Sequence, residues 1–250
     1  MFRTSSTEAI VLRKLRVGEI HKSLTLLSPT LGLLNAMAHG AYKMRSRLRT
    51  ASEPFSVIRA YLYHEPVKNQ YKVTDIEAID SLEGIRASVL RFFTASLWAE
   101  VCLKSFGGGE GFAELYRLLR EALRVLARCG EAAVGGLSVQ FLARFLDLLG
   151  HRPNLSHCSS CGAELEPASG AYVSEEGSLL CPLCAHPDAP HLPGGALRYL
   201  QATVGIELAQ AARIGLEARA LEAAKEVLYG LVRRSIEADL NAVRCSAGIL

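Results

Sequence analysis

The chain has 250 residues, 50% of them hydrophobic and 21% charged. That is enough to bury a sizeable core in one large domain or two smaller ones. A net charge of +3 is mild. Arg13, Lys14 and Arg16 interrupt the first apolar stretch, which argues against a secretory signal, and no apolar run reaches the length of a membrane span.

Up to about Gly84 the apolar residues come in short stretches closed by turn signals. The stretches are Ala9 to Leu15, Leu24 to Leu27 before Ser28-Pro29, Leu31 to Ala38 before His39-Gly40, Phe55 to Tyr63 before Glu65-Pro66, and Tyr71 to Ala78. Five short strands in about eighty residues predict a small antiparallel barrel, and a five-stranded OB barrel has this size. Residues 1–80 also hold twelve Lys and Arg against seven Asp and Glu, so the positive charge is concentrated there.

Beyond Gly84 the period becomes helical. Ile85, Val89, Phe92, Phe93, Leu97 and Val101 recur at three- and four-residue steps until Gly107-Gly108-Gly109. A second helix carries Leu115, Leu119, Leu123 and Leu126, and a third Leu137, Phe141, Phe145 and Leu149. After a Pro-, Gly- and Ser-rich segment, two more patterns follow. One runs through Leu197, Leu200, Val204 and Leu208, the other through Leu221, Val227, Leu228, Leu231 and Ile236. The expected fold is α+β and multidomain. An OB-fold barrel is expected at 1–80 and a mainly α-helical domain at 84–250, with a four-cysteine zinc module at 155–190 inserted in the latter.

The module is marked by Cys158-Ser159-Ser160-Cys161 and Cys181-Pro182-Leu183-Cys184, separated by Gly162 to Leu180. Two residues between thiols let both sulfurs of a knuckle reach one metal, and a hairpin-sized insert folds the second knuckle onto the first. Four thiolates close the coordination shell, so the expected cofactor is one structural zinc ion. In zinc-finger peptides such binding contributes about 10–16 kcal/mol to folding. His157 and His186 adjoin the knuckles and are alternative ligands. The remaining thiols, Cys102, Cys129 and Cys245, are scattered and read as reduced residues of a cytosolic protein.

The second signal is Lys43-Met44-Arg45-Ser46-Arg47-Leu48-Arg49. In an extended segment the four cations share one face, while Met44 and Leu48 point inward. Such a row suits a polyanion, although most charge runs are solvated loops. On the fourth strand Arg59, Tyr61 and Tyr63 share a face, opposite Ile58, Ala60 and Leu62. Rings beside cations can stack bases, each worth roughly 1–3 kcal/mol. Packing within the barrel is the competing use of either tyrosine, and Tyr42 and Tyr71 are weaker candidates. No Walker-type phosphate loop, Gly-x-Ser-x-Gly elbow, deaminase signature or paired catalytic carboxylate is present.

Several segments together resemble the bacterial RecO recombination-mediator family. They are Glu8-Ala9-Ile10-Val11-Leu12 with Gly18-Glu19, Leu24 to Gly32, His39-Gly40-Ala41-Tyr42-Lys43 with Ser46-Arg47-Leu48, Cys158 to Gly162, and Gly177 to Cys184. The resemblance spans nearly the whole chain. It implies an OB fold, a helical domain with a zinc insert, binding of single- and double-stranded DNA, and annealing of complementary strands. It implies contact with the acidic C-terminal tail of single-stranded DNA-binding protein. It also implies work with RecR, and in some organisms RecF, in loading the RecA recombinase. Such a protein is non-enzymatic, cytoplasmic and nucleoid-associated, with no membrane contact. The expected DNA-binding residues are Lys43, Arg45, Arg47, Arg49, Arg59 and Tyr61, and the metal ligands are Cys158, Cys161, Cys181 and Cys184. The competing class is a zinc-ribbon interaction scaffold that binds no nucleic acid.

Overall fold

The structure is a computed structural model that describes residues 3–43, 48–105, 111–246 and 248–250, without the side chains of residues 49 and 50. The expected Arg45 and Arg47 and the Gly107–Gly109 break lie outside the described residues. The chain divides into two compact units, Met1–Arg128 and Cys129–Leu250.

The first unit is built on a closed, OB-like barrel of five strands. These are β1 (Thr4–Val17), β2 (His21–Ser28), β3 (Gly32–Ala38), β4 (Val57–Glu65) and β5 (Gln70–Asp80). Their order around the barrel is β1-β2-β3-β5-β4, with β4 returning to β1. Closure depends on β1. Its first half pairs with β4 from Thr4↔Tyr63 to Ile10↔Val57, and its second half with β2 from Ile10↔Leu27 to Val17↔His21. A register shift between Val11 and Arg13 marks the bend between the halves, as a bulge does at a barrel corner. Alternation sends Ala9, Val11, Leu24, Leu26, Ala36, Ile58, Ala60 and Leu62 into a shared core. The alanines suit the narrowing interior of a small barrel.

Between β3 and β4 one helical turn, α1 (Leu48–Ala51), closes an end of the barrel. Leu48 does pack inward, but from a helix instead of an extended strand. Leu48 and Ala51, three residues apart, present one face of that turn to the core. The row of four cations therefore does not continue in extended form to Arg49.

Three helices of the same unit lie against the barrel: α2 (Glu83–Arg86), α3 (Val89–Ser105) and α4 (Phe112–Arg128). Tyr116 and Arg120 of α4 both donate to Glu8 Oε2, each at 3.1 Å. Phe92 of α3 meets Phe55 edge to face at 5.5 Å.

The second unit contains α5 (Glu131–Leu148), a three-stranded sheet, α6 (Gly194–Thr203), α7 (Leu208–Ala211), α8 (Ala218–Ser235) and α9 (Asn241–Cys245). The sheet has the order β7 (Leu179–Leu180), β6 (Ala171–Val173), β8 (His191–Leu192). Gln140 of α5 donates to Thr203 at 2.8 Å, and Arg144 to the Ile206 carbonyl at 2.7 Å. The pattern expected to run from Leu197 to Leu208 as one helix is two, because the chain turns at Gly205 between α6 and α7. Glu217 caps α8 by accepting from the N–H groups of Arg219 and Ala220. No described helix is long and apolar enough to cross a membrane.

Candidate metal centre and nucleic-acid interface

The four cysteines converge. Their sulfurs all lie within 4.8 Å of one another, and Cys161 and Cys181, from different knuckles, are 3.8 Å apart. A tetrahedral shell with metal–sulfur bonds of about 2.3 Å has sulfur–sulfur edges of about 3.8 Å, so the residues fit a metal ion. The first knuckle turns on Gly162, whose φ of 74° a residue with Cβ adopts poorly and whose N–H donates to the Cys158 carbonyl at 2.9 Å. The second closes through Cys184 N–H on the Cys181 carbonyl at 3.0 Å. Ser159 N–H, 2.9 Å from the Leu179 carbonyl, ties the first knuckle to β7. Burial works against ionising Cys158. The backbone N–H groups of Cys161, Cys181 and Ser160 outweigh it and bring the thiol down to about 6. That is the direction a metal ligand requires. The Cys184 thiol, hydrogen-bonded to Cys161, is instead pushed up to about 12. The convergence of the four sulfurs, not their ionisation, carries the site. Among the described residues the group suited to a metal is these four cysteines. His157 instead bridges Glu164 through its backbone, and the His186 ring faces Asp188 at 3.8 Å. Of the other thiols, Cys102 is buried and pushed far up by desolvation, while Cys245 is exposed.

The second site lies at the barrel end where β1 meets β2. Lys22 points inward beside Leu24 and is fully buried. Its ammonium donates to Ser52 at 2.9 Å and lies 3.3 Å from Glu53. Glu53 also pairs with Lys14. The ring of Tyr42 sits over this pair: Lys22 Nζ is 4.9 Å from its centroid and the exposed Arg16 guanidinium 5.4 Å. Tyr42 N–H donates to Ile20 at 3.1 Å, which pins the segment after the Gly40 turn to the β1–β2 hairpin. His21 accepts from Gly40 N–H at 3.1 Å and meets His39 edge to face at 4.9 Å. Lys43 stands exposed at the end of that turn. A half-buried ring with the exposed cations Arg16 and Lys43 near it is suited to stacking a base while phosphates meet those two charges. Arg16, Lys22, His21 and His39 were not among the binding residues expected from the sequence. The available signal was the alternation that puts Lys22 on the inward face with Leu24 and Leu26.

Arg59 and Tyr61 sit elsewhere, on the outer face of β4, and their neighbours are acidic. Arg59 is paired across the strands with Glu8 on one side and Glu77 on the other, and its guanidinium is 3.7 Å from Glu8. Tyr61 donates to Glu77 at 3.0 Å, which raises its phenol above the usual value. Tyr63 lies 5.9 Å beneath Lys72, which itself pairs with Glu65. The structure thus places Lys43 beside Tyr42 at the barrel end and does not bring Arg59 or Tyr61 to it. Arg49 lies in α1.

Comparison with known proteins settles the family. The model of the family described as "Recombination protein O N terminal" matches residues 1–82, and that for "Recombination protein O C terminal" matches residues 86–244. The chain belongs to the RecO family. Three proteins named DNA repair protein RecO illustrate the similarity. The one from Heliobacterium modesticaldum is 31% identical over 246 residues, covering 96% of this chain and 88% of its own. That of Roseiflexus is 32% identical over 243 residues, covering 95% and 83%. That of Rubrobacter xylanophilus is 30% identical over 209 residues, covering 82% and 83%. Within the RecO framework the two family models meet at 82–86, whereas helices α2–α4 pack with the barrel. The OB-like barrel and the four-cysteine group are both present in this member of a DNA repair family.

Proposed function

We propose that this RecO protein is a non-enzymatic recombination mediator. It binds single- and double-stranded DNA at the barrel, anneals complementary strands, and helps load recombinase onto strands coated by single-stranded DNA-binding protein. The observation that carries the reading is the cation-lined ring of Tyr42, flanked by Arg16 and Lys22 and followed by Lys43 and the basic segment. A strand stacked there meets the exposed cations Arg16 and Lys43, while Lys22 stays buried against Ser52 and Glu53. Two complementary strands held on such a surface have their mutual repulsion screened, and annealing needs no bond chemistry.

The partners in this reading are DNA, the acidic tail of single-stranded DNA-binding protein, RecR and in some organisms RecF, with RecA reached indirectly. The ion held by Cys158, Cys161, Cys181 and Cys184 is zinc, in a structural role, because four thiolates leave no position open for substrate. The protein works in the cytoplasm at the nucleoid, with a nucleic-acid-binding domain at 1–80, a helical domain at 84–250 and the zinc module at 155–190.

Fluorescence annealing of complementary oligonucleotides tests the reading. The protein should accelerate annealing at low salt, and continue to do so on strands coated by single-stranded DNA-binding protein unless that protein's acidic tail is removed. No acceleration even in dilute buffer would leave the interaction scaffold as the better description.

A further inference from the structure

A trough of about 710 Å³ runs within the second unit between the zinc-module hairpin and α8. Val173 and Leu180 form one side of its apolar floor, Val227 and Leu231 the other. Gly230 opens onto it from the middle of α8, and a Cβ built there would meet nothing within 4 Å. Glycine weakens a helix interior. Here its lack of a side chain keeps the helix surface low beside the trough, where an occupant's backbone can approach closely. The hairpin is itself seated tightly on α8: a Cβ on Gly177 would come within 2.8 Å of Leu231.

Charge selects the occupant. Four exposed carboxylates, Glu175, Glu176, Asp188 and Glu226, border the trough, against two guanidiniums, Arg233 and Arg234. The Glu176 carboxyl is held below the usual value first by the Ser174 hydroxyl and its own backbone N–H, with the charge of Arg234 assisting. Cys184 lines the same space, so a metal-loaded tetrathiolate shell adds a net charge of about −2 beside it. The surrounding sequence agrees. From Pro153 to Ala196 and Leu197 there is no Lys or Arg, and five Asp or Glu occur: Glu164, Glu166, Glu175, Glu176 and Asp188. Phosphates would be repelled from this surface.

We infer that the trough between the zinc-module hairpin and α8 docks an extended, lysine- or arginine-bearing peptide segment of a protein partner, with its apolar side chains on the Val173–Leu231 floor and its cations at the acidic border. This contact is separate from the proposed DNA interface and does not depend on it.

Fluorescence anisotropy with the zinc-loaded full-length protein tests the inference. The probes are a labelled peptide of alternating lysine and leucine, its glutamate-for-lysine analogue and its serine-for-leucine analogue. The lysine–leucine peptide should bind at one site per chain and the two analogues at least about tenfold more weakly. Gly230→Leu fills the trough while improving the helix, so the variant folds; it should weaken binding at least about tenfold, as should Glu226→Lys. Circular dichroism and zinc content verify that both variants are native. Three results overturn the inference. These are equal binding of the glutamate analogue, binding indifferent to Gly230→Leu, and no binding to the native protein. Sedimentation adds a fourth: self-association that Gly230→Leu abolishes would make the occupant a second copy of this chain.

Discussion

Lys22 shows how one residue can set the character of a barrel end. An ammonium with no solvent exposure is costly unless its protons find acceptors. Ser52, Glu53 and the face of Tyr42 supply them. Glu53 is the shared partner, and its own ionisation reflects this. Burial raises its carboxyl, but the hydrogen bond from Lys14 and the charges of Lys14 and Lys22 outweigh that and hold it below the ordinary carboxylate value. A lowered folded-state value stabilises the protein above the ordinary value of 4.5, and the contribution disappears as pH falls through the lowered one. Glu53→Gln should therefore destabilise the protein at pH 7 by roughly 1–3 kcal/mol, the cost of depriving a buried ammonium of a charged acceptor. The difference from the native protein should shrink below about pH 4.5. Urea unfolding at pH 7 and at pH 3.5 measures it. A deficit that persists unchanged at the lower pH would show that Glu53 acts by packing and not by charge.

At the scale of elements, what could be read from sequence followed the range of the cause. The Cys-x-x-Cys pairs were legible because chelation is local: two intervening residues fix where both sulfurs go. The five strands were legible where alternation buries one face, as in Leu24, Leu26 and Ile58, Ala60, Leu62. The polar start of β1, Thr4 to Thr7, was not, since only pairing with β4 makes it a strand. Nor was the helical turn at Leu48, which exists because two residues must reach the barrel core together. The carboxylates beside Arg59 and Tyr61 come from β1 and β5, so nothing local to β4 announced them. The metal module permits a test at this scale. Its sheet has three short strands, which are marginal by themselves. Gln201 of α6 reaches its base, donating to the Leu155 carbonyl at 2.8 Å and to Leu165 at 3.3 Å. Native mass spectrometry should find one zinc per chain, lost in Cys181→Ser. Chelation should then speed amide exchange at Tyr172, Val173 and Leu180 at least about tenfold, while amides of β1–β5 keep their protection. Faster exchange throughout the barrel would contradict a module-confined role for the ion.

At the scale of the whole molecule, charge is segregated along the chain. Residues 1–80 hold five more cations than anions, whereas the 45 residues between Arg152 and Arg198 hold no Lys or Arg at all. Attraction for a polyanion should therefore come from the first unit, and ionic strength exposes its source. For single strands the log–log salt slope is about −0.7 per phosphate neutralised, and for duplex about −0.9. Arg16→Ala with Lys43→Ala should flatten the single-strand slope by about 1.4, two phosphates' worth of released counterions. Extending the change to Arg45, Arg47 and Arg49 should flatten it further. Arg59→Ala should leave it unchanged, because that guanidinium already answers Glu8. Tyr42→Ala removes a stacking face without removing a charge, so it should weaken single-strand binding by roughly 1–3 kcal/mol at every salt concentration and leave the slope alone. The pattern separates the two faces of the barrel. If Arg59→Ala flattens the slope and the Arg16–Lys43 pair does not, the strand runs across β4 and the cations around Tyr42 serve only to close the barrel.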